Sequence, residues 1–277
     1  MPNRVRKPAL PLSQAVALGI LQGPTEMLPV SSSAHAALLP WLAGWSYEEL
    51  DPQLRKSFEV ALHAGAGMAL VIDMRSELVE GLFNTDRRRA AMIVCSLAPP
   101  AIAGYVLRPF IERRLGGPRS IAVGLVAGGV AMALADSTRR QTRRFEDAGP
   151  LDGLALGLAQ AAALIPGVSR SGAALAAARA RGFTRGDAHA LCWHAALPVI
   201  LGAGALEVRR LTRAGVADGE RLTLATGAAT AFMSTLASAR LLRRAPRGRA
   251  LLPFSLYRGL LALAVIRRLH RAHNASR

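Results

Sequence analysis

Residues that could carry chemistry are concentrated in one stretch of otherwise apolar sequence, QGPTEMLPVSSSAH, from Gln22 to His35. This stretch holds the carboxylate of Glu26, three consecutive serine hydroxyls at positions 31–33 and the imidazole of His35. Such groups are costly in an apolar environment unless they are paired or belong to a site. The pattern therefore predicts a polar site surrounded by apolar residues.

Gln22 and Glu26 lie four residues apart, so in a helix their side chains share one face and point into the same space. A carboxylate in an apolar segment is either a ligand for a hard cation or a base. The alternative is that Glu26 caps a local turn or a helix end. The neighbouring polar groups favour the functional interpretation.

Ser31, Ser32, Ser33 and His35 follow Pro29, and a serine before a new apolar run is also what a helix N-cap requires. We expect one serine to be that cap. A helix beginning here would still direct its free N–H groups and the positive end of its dipole towards an anion such as phosphate. His35 has three interpretations: a general base, a metal ligand, or an interfacial histidine bonded to backbone, the commonest case for a lone histidine.

A second stretch, from Gln160 to Gly172, repeats the outline of the first. The pattern LGxxQ followed by VSxS begins at Leu18 and again at Leu156, 138 positions later, which is half of the 277 residues. A pattern that recurs after half of the chain length indicates an internal duplication. We therefore expect two pseudo-repeats, at about 1–136 and 137–277, that each contribute half of one site.

Arg170 lies between Ser169 and Ser171 in the turn of the second stretch. A guanidinium in an apolar segment needs an anion, and its fork suits phosphate oxygens, with hydroxyls on either side to add hydrogen bonds. The alternative is that Arg170 neutralises Glu26 across the repeat interface. Both hold if substrate and cation redistribute the pairing.

The composition is that of a polytopic membrane protein, with 51% hydrophobic and 19% charged residues. The net charge of +17 comes from arginines clustered between apolar segments, where headgroup contacts and topology signals are expected, so nucleic acid is excluded as a partner. Cys95 and Cys192 lie in apolar runs and are expected to be small core residues. The basic, then apolar, start is expected to be retained, since no small-residue cleavage site follows it.

Six apolar runs are long enough to suggest membrane spans. They are approximately Phe58 to Met74, Ala90 to Leu107, Ser120 to Ala135, His189 to Leu206, Leu222 to Leu242 and Leu251 to Ile266. The two motif regions, Leu12 to Trp45 and Leu151 to Arg181, are instead interrupted midway, which predicts two re-entrant helical hairpins. Because three membrane spans lie between the two hairpins, the hairpins must enter the membrane from opposite faces. We expect an all-α integral membrane protein with inverted-topology repeats.

Other polar residues are weaker candidates. Glu59 and His63 share a helix face in the first span, with Asp73 near its end, and extend the site or are ordinary interfacial and core residues. His189 and His194 are weaker still. Asp136, the arginine-rich loops and the tail from Arg267 to Arg277 are expected to be solvated or to face headgroups.

At these residues the chain resembles the undecaprenyl-pyrophosphate phosphatase family, the bacterial bacitracin-resistance proteins. The resemblance rests on Gln22 and Glu26 in an (E/Q)xxxE segment that runs into PVSS and His35, and on the PGxSRSG motif from Pro166 to Gly172. It extends through KSFEV (56–60), the region 90–136 and PFSLYR (253–258), thus over nearly the whole chain. The departures are Gln22 as the neutral option, Ala34 for a usual Gly, Ala174 for a usual Thr, and LCWHAALP at 191–198 for FSFLLAxP.

The resemblance implies a multi-pass protein of the bacterial plasma membrane that hydrolyses undecaprenyl diphosphate to the monophosphate, with a divalent cation, Mg²⁺ or Ca²⁺, assisting. Glu26 would hold the cation, with Gln22, or activate the attacking group, and Arg170 would clamp the diphosphate. Ser32, His35 or an activated water would attack. The further substrate contacts expected are Ser31, Ser33, Ser169, Ser171 and Gly172.

Two other functions remain open at this level. An inverted repeat with broken helices is also typical of transporters, so a flippase for the carrier lipid is the main rival. An inactive paralogue that binds the lipid diphosphate is the other. The partners expected are the polyprenyl diphosphate lipid and the membrane; the sequence leaves open whether a second copy of the chain completes a homodimer.

Overall fold

The computed structural model describes residues 9–275 apart from 84–85, 138–140, 215–217, 245–247 and 249. The predictions for the basic start at residues 1–8 and for Arg139, Arg140, Ser276 and Arg277 fall outside the described residues. Within the described residues the fold is all-helical, with one short 3-10 helix at Phe145–Asp147. The α-helices are α1 (Leu12–Met27), α2 (Ser32–Ala43), α3 (Pro52–Asp73), α4 (Arg75–Phe83), α5 (Arg87–Arg114), α6 (Pro118–Ser137), α7 (Pro150–Ala162), α8 (Arg170–Ala180), α9 (Arg185–Ala214), α10 (Asp218–Arg243) and α11 (Leu252–Ala275).

Local sequence explains several helix ends. Asp51 accepts a hydrogen bond from the backbone N–H of Gln53 and precedes Pro52, which suits the first position of α3. Asp86 caps α5 by accepting a hydrogen bond from the backbone N–H of Arg89 at 2.7 Å. Gly44 ends α2 in the left-handed conformation with φ of 69°, which glycine adopts without a side-chain penalty.

Each motif region consists of a helix, a short non-helical segment that we call a break, and a second helix. The first hairpin is α1–α2, and its break, which we call the first break, covers residues 28–31. The second hairpin is α7–α8, and its second break covers residues 163–169. The predicted interruption of both apolar runs is therefore present.

Four segments of the described chain are long and apolar enough to cross a membrane: Arg87–Leu107, Pro118–Ser137, Arg185–Leu206 and Gly219–Arg243. They coincide with the second to fifth of the six apolar runs. The first and sixth runs lie in α3 and α11, which have 22 and 24 residues. The chain is thus a helical, multi-pass membrane protein.

Each hairpin packs against a helix from the other half of the sequence: α1 against α10, and α7 against α5. Glycines allow the close approach. A Cβ atom on Gly19 of α1 would lie 2.0 Å from the Thr230 hydroxyl, and one on Gly157 of α7 would lie 2.8 Å from the Cys95 and Ser96 carbonyl oxygens. Since α6 also packs against α11 and α8, the two breaks are brought together from distant parts of the chain.

Asp136, at the end of α6, is buried and paired. Its side chain is 7% exposed and accepts hydrogen bonds from Arg179 Nε at 2.8 Å, Arg185 Nε at 3.0 Å and the Leu251 backbone N–H at 3.0 Å. The prediction that Asp136 is solvated or faces headgroups is therefore wrong. The carboxylate joins the ends of three elements, α8, α9 and α11, that local sequence does not place beside it.

Asp152, in the first turn of α7, anchors the second hairpin in a similar way. Arg143 donates to both carboxylate oxygens, at 2.9 and 2.8 Å, and Arg181 Nε donates at 2.7 Å. Burial raises the pKa of Asp152, but the hydrogen bonds from Arg143, Arg181 and the Gly149 backbone outweigh burial and lower the pKa to about 2. Arg143 belongs to the arginine-rich loops that were predicted to be solvated or to face headgroups, but it forms an ion pair with Asp152.

Candidate active site

Glu26 lies at the centre of the polar residues between the two breaks. Its Oε2 atom accepts hydrogen bonds from Ser32 Oγ at 2.7 Å and Gln22 Nε2 at 3.1 Å, and its Oε1 atom accepts one from Arg170 Nη2 at 2.7 Å. We call these four residues the Glu26 cluster. Three predicted site residues thus meet a fourth that comes from the opposite half of the chain.

The first hairpin places Gln22, Glu26 and Ser32 by local geometry. Gln22 and Glu26 share one face of α1 at i and i+4, as their spacing predicted, and both are buried. Ser32 is the first residue of α2, so the first break folds its hydroxyl back onto Glu26. The arrangement puts a hydroxyl directly against a carboxylate, which is the geometry of a nucleophile beside its base.

The second hairpin places Arg170 as the first residue of α8. The side chain of Arg170 is 28% exposed, whereas that of Glu26 is 6% exposed. The predicted neutralisation of Glu26 by Arg170 is therefore present. Arg170 is the more exposed partner of the pair, and its role in binding a substrate anion stays a prediction.

The remaining serines shape the two breaks. Ser31 is the N-cap of α2 and Ser169 the N-cap of α8; each side chain accepts from the backbone N–H three residues later, Ala34 at 3.4 Å and Gly172 at 3.2 Å. The expectation that one serine is a cap is confirmed for Ser31. The structure does not place Ser31 or Ser169 in contact with Glu26.

Ser33 and Ser171 hold similar positions behind these caps. Ser33 lies 3.3 Å from the Ser31 hydroxyl and Ser171 lies 3.4 Å from the Ser169 hydroxyl. Ser171 Oγ also reaches the Leu28 carbonyl oxygen of the first break at 3.5 Å. Gly172 presents its backbone N–H to Ser169, so in this state it is used for capping.

His35 is held from both sides and does not contact Ser32. Its Nδ1 atom lies 2.8 Å from the Ser31 carbonyl oxygen and its Nε2 atom lies 2.7 Å from the Tyr257 hydroxyl. A carbonyl oxygen only accepts, so Nδ1 carries the proton, and in the neutral ring Nε2 accepts from Tyr257. Of the three interpretations of His35, the structure favours a histidine bonded to backbone and fixed in one tautomer.

In the part of the chain that the structure describes, it shows no hydrogen bond from the weaker candidates to the Glu26 cluster. The Nδ1 atom of His63, in α3, donates to the Glu59 carbonyl oxygen at 2.8 Å. Asp73 instead pairs with Arg243 at the end of α3, about 15 Å along the helix from His63 at 1.5 Å per residue. His189 accepts from Trp193, away from the cluster.

His194 packs against Phe145 and lies 2.9 Å by Nδ1 from the Ala190 carbonyl oxygen. It makes no contact with the Glu26 cluster. His194, like His189, therefore remains outside the site, in agreement with its low rank as a sequence candidate.

The Glu26 cluster offers few ligands for a divalent cation by itself. Among the described residues, no group of three or more His, Cys, Asp or Glu side chains is arranged to hold an ion. Glu26 and the Gln22 amide nevertheless provide hard oxygen donors, and Mg²⁺ is commonly held by one or two carboxylates plus substrate phosphates. The donor set therefore suits a cation that arrives with a phosphate ligand.

Two residues with direct roles in the geometry, Tyr257 and Arg258, were missed by sequence reasoning. Arg258 is fully buried in α11 and bonds to carbonyl oxygens of both breaks. The signal was available, because an arginine inside an apolar run is the same feature that identified Arg170. Tyr257 had no comparable signal, since tyrosine is common in membrane helices.

Comparison with known proteins places the chain in a family. Residues 15–264 match the family described as bacitracin resistance protein BacA. Relatives named undecaprenyl-diphosphatase include those of Geobacter sulfurreducens, 39% identical over 92% of this chain and 97% of the relative, and Geobacter metallireducens, 36% identical over 91% and 96%. That of Alcanivorax borkumensis is 33% identical over 91% and 97%. The chain belongs to the BacA family of bacitracin resistance proteins.

Proposed function

We propose that the chain is an undecaprenyl-diphosphatase, which hydrolyses undecaprenyl diphosphate to undecaprenyl phosphate and phosphate. Membership of the BacA family and relatives of that name over more than nine-tenths of the chain support the activity. The observation that carries the proposal is the Glu26 cluster, in which a buried carboxylate bonds a serine of one break and an arginine of the other. In bacteria this reaction recycles the carrier lipid of cell-wall synthesis and opposes bacitracin.

The substrate headgroup matches the charges at the breaks. A diphosphate has several negative oxygens, and the N-termini of α2 and α8 present N–H groups and the positive ends of two helix dipoles. Arg170 adds a guanidinium whose fork suits phosphate oxygens. We assign Arg170, Ser31, Ser33, Ser169, Ser171 and Gly172 to substrate binding, with Arg170 leaving Glu26 when the diphosphate binds.

Ser32 is the attacking group in this proposal. Its hydroxyl donates to Glu26 at 2.7 Å, whereas both ring nitrogens of His35 are engaged elsewhere. Ser32 Oγ attacks the terminal phosphorus while its proton passes to Glu26, and the bond from that phosphorus to the bridging oxygen breaks. Glu26 then returns this proton to the leaving lipid phosphate. In the second step water attacks the phosphorus of phosphoserine while Glu26 takes a proton from the water. The bond from phosphorus to Ser32 Oγ breaks, Glu26 gives the proton to Ser32 Oγ, and phosphate leaves.

Glu26 and the amide oxygen of Gln22 would hold a divalent cation beside the diphosphate oxygens. When bound, such a cation neutralises charge on the phosphates and stabilises the charge that develops on transfer. One carboxylate and one amide form a weak site by themselves, so we expect affinity for Mg²⁺ or Ca²⁺ to depend on the bound diphosphate.

His35, fixed by Tyr257, orients the first break.

For the membrane arrangement we propose six spanning helices, α3, α5, α6, α9, α10 and α11, and two re-entrant hairpins in an inverted repeat. The matched packing of α1 on α10 and α7 on α5, and the two serine-capped breaks, support this arrangement. The pseudo-repeats are 1–136 and 137–277. In a bacterium such a chain would lie in the plasma membrane.

The test is phosphate release from undecaprenyl diphosphate by purified protein in detergent, with Mg²⁺, with Ca²⁺ and with a chelator. We expect cation-dependent release by the wild-type chain and none by the Glu26→Ala or Arg170→Ala variants. A folded sample that releases no phosphate at any cation concentration would reject the enzyme. Binding without release would then indicate a lipid-binding paralogue, and lipid movement across vesicles without release would indicate a flippase.

A further inference from the structure

Arg258 is the largest fully buried side chain among the described residues, with 0% exposure, and it lies in a segment of α11 that contacts both breaks. No carboxylate among the described residues pairs with it. A buried guanidinium is expensive, and its cost is met here by neutral acceptors rather than by an opposite charge. The position therefore needs the shape and hydrogen-bonding capacity of arginine.

Every N–H group of Arg258 is used. Nε donates to the Leu125 carbonyl oxygen at 3.2 Å. Nη1 donates to the Pro29 carbonyl oxygen at 3.4 Å and to Met132 Sδ at 3.3 Å. Nη2 donates to the Gly124, Gly167 and Val168 carbonyl oxygens at 3.3, 2.8 and 2.8 Å. A guanidinium has five N–H donors, so none is left for a phosphate. Arg258 thus differs from Arg170, which keeps donors for a substrate.

The acceptors join the two breaks at matching positions. Pro29 belongs to the first break and Gly167 to the second, and the two residues are 138 positions apart, the same separation as the two sequence motifs. Neither carbonyl lies within a helix, so each needs a donor from elsewhere. One side chain supplies both.

The surroundings leave room for this side chain and little else. A Cβ atom on Gly128 would lie 2.2 Å from Nη2, and one on Gly172 would lie 2.9 Å from Nη1. Glycine on α6 and glycine on α8 therefore form two walls of the guanidinium site. A larger residue at either position would push Arg258 away from the carbonyl oxygens.

We infer that Arg258 is a positioning residue for phosphate release, which joins the first and second breaks so that Arg170 meets Glu26 and Ser32. This inference rests on the proposed function. Lysine cannot replace it, because one ammonium group with three donors cannot reach carbonyl oxygens on both breaks. Arg258 acts through the backbone of the breaks and does not touch the substrate.

The first experiment compares kcat and KM for the wild type, Arg258→Lys and Arg258→Gln. A displacement of about 1 Å between reacting groups costs about a hundredfold in rate. We expect both variants to lose about a hundredfold in kcat with KM within threefold. Arg268→Lys is the matched control, because Arg268 also lies in α11 and bonds one carbonyl oxygen, that of Leu42, away from the breaks; it should retain at least half the activity.

A double-mutant cycle with Arg170→Lys separates positioning from general loss of structure. If Arg258 acts by aligning Arg170, then Arg258→Lys should cost less than tenfold in the Arg170→Lys background. A cost of a hundredfold in both backgrounds would overturn the inference. Near wild-type activity of Arg258→Lys in the single variant would overturn it too, whereas an inactive wild type would reject the proposed function itself.

Discussion

The first and second breaks have the same backbone design and different chemistry. Ser31 and Ser169 both adopt a left-handed backbone, with φ of 76° and 68°, and both cap the next helix through the N–H three residues on. For a residue with a side chain, such a sparsely populated backbone conformation costs about 1–3 kcal/mol. Two such costs are retained at equivalent positions, so the tight serine-capped turn is needed on both sides of the site.

The side chains at matching positions of the two hairpins differ. Ser32 and Arg170, 138 positions apart, each begin the second helix of a hairpin, and both bond to Glu26. At the position that matches Glu26 the second hairpin has Leu164. To the Glu26 cluster the first hairpin thus supplies the carboxylate, the amide and the hydroxyl, and the second supplies the guanidinium. An active site made this way needs both hairpins in register.

The largest expected effect is that of Glu26→Gln, which removes the carboxylate at the position where the second hairpin has Leu164. An amide neither accepts a proton from Ser32 nor holds Arg170 by charge. We expect kcat to fall by about 10⁴-fold, the upper range for loss of a general base. Steady-state phosphate release measures this, with thermal unfolding in detergent as the check on folding.

Glu77→Gln is the matched control for Glu26→Gln, because Glu77 is an exposed carboxylate on α4. It should leave kcat within twofold of the wild type. A Glu26→Gln variant that retains a tenth of the activity would remove Glu26 from the role of base.

The second prediction compares two neighbouring serines of the first hairpin. Ser32→Ala should lower kcat about a thousandfold, or about 4 kcal/mol of barrier, because it removes the proposed attacking oxygen. Ser33→Ala, which removes one of several proposed substrate contacts but leaves Ser32 and Glu26 in place, should cost less than tenfold. Acid quenching with substrate labelled in the terminal phosphate should trap phosphoserine in the wild type. Failure to trap it, with Ser32→Ala losing less than tenfold, would assign the attack to water.

Sequence predicted the parts of this site that depend on local spacing. The proline and serine interruptions predicted both breaks, and the i, i+4 spacing predicted that Gln22 and Glu26 share a face. The pairing of Arg170 with Glu26 followed from the cost of isolated charge in an apolar segment. Each of these inferences needs only a few residues or a simple energetic rule.

Contacts made across the whole chain were not predictable in this way. Tyr257 reaches His35 over 222 positions and Arg258 reaches Pro29 over 229, and no periodicity relates such distant residues. Asp136 was wrongly placed in solvent because its burial depends on Arg185 and the chain before α11, which pack over it from elsewhere in the sequence. The environments of these side chains depend on how distant parts of the chain pack together.

The third prediction concerns how each hairpin is anchored. Asp152→Asn removes the carboxylate charge that binds Arg143 and Arg181, and should lower the free energy of unfolding by about 3 kcal/mol. Gln14→Ala, 138 positions earlier in the first turn of α1, should cost less than 1 kcal/mol, because no comparable ion pair involves a glutamine. Thermal unfolding of both variants in detergent measures the difference.

The pH dependence gives an independent check on Asp152. Its folded pKa of about 2 lies below the ordinary value of 3.8, so the stabilisation is fully present above the ordinary value. It is lost as the pH falls through 3.8 towards about 2. The difference in unfolding temperature between the wild type and Asp152→Asn should therefore shrink over that range. A constant difference down to the folded pKa would contradict the ion-pair explanation.

The smallest expected effect separates the two matching glutamines. Gln22 donates to Glu26, whereas both amide atoms of Gln160 are buried without a hydrogen-bond partner among the described residues. An unpaired buried polar group costs about 1–3 kcal/mol, so Gln160→Leu should stabilise the protein by about 1 kcal/mol after imperfect packing, or about 2–4 °C in unfolding temperature. Gln22→Leu should instead lower activity, since Glu26 loses a donor. If Gln160→Leu destabilises the protein, then the second glutamine is also hydrogen-bonded, and the two hairpins are more alike than their side chains suggest.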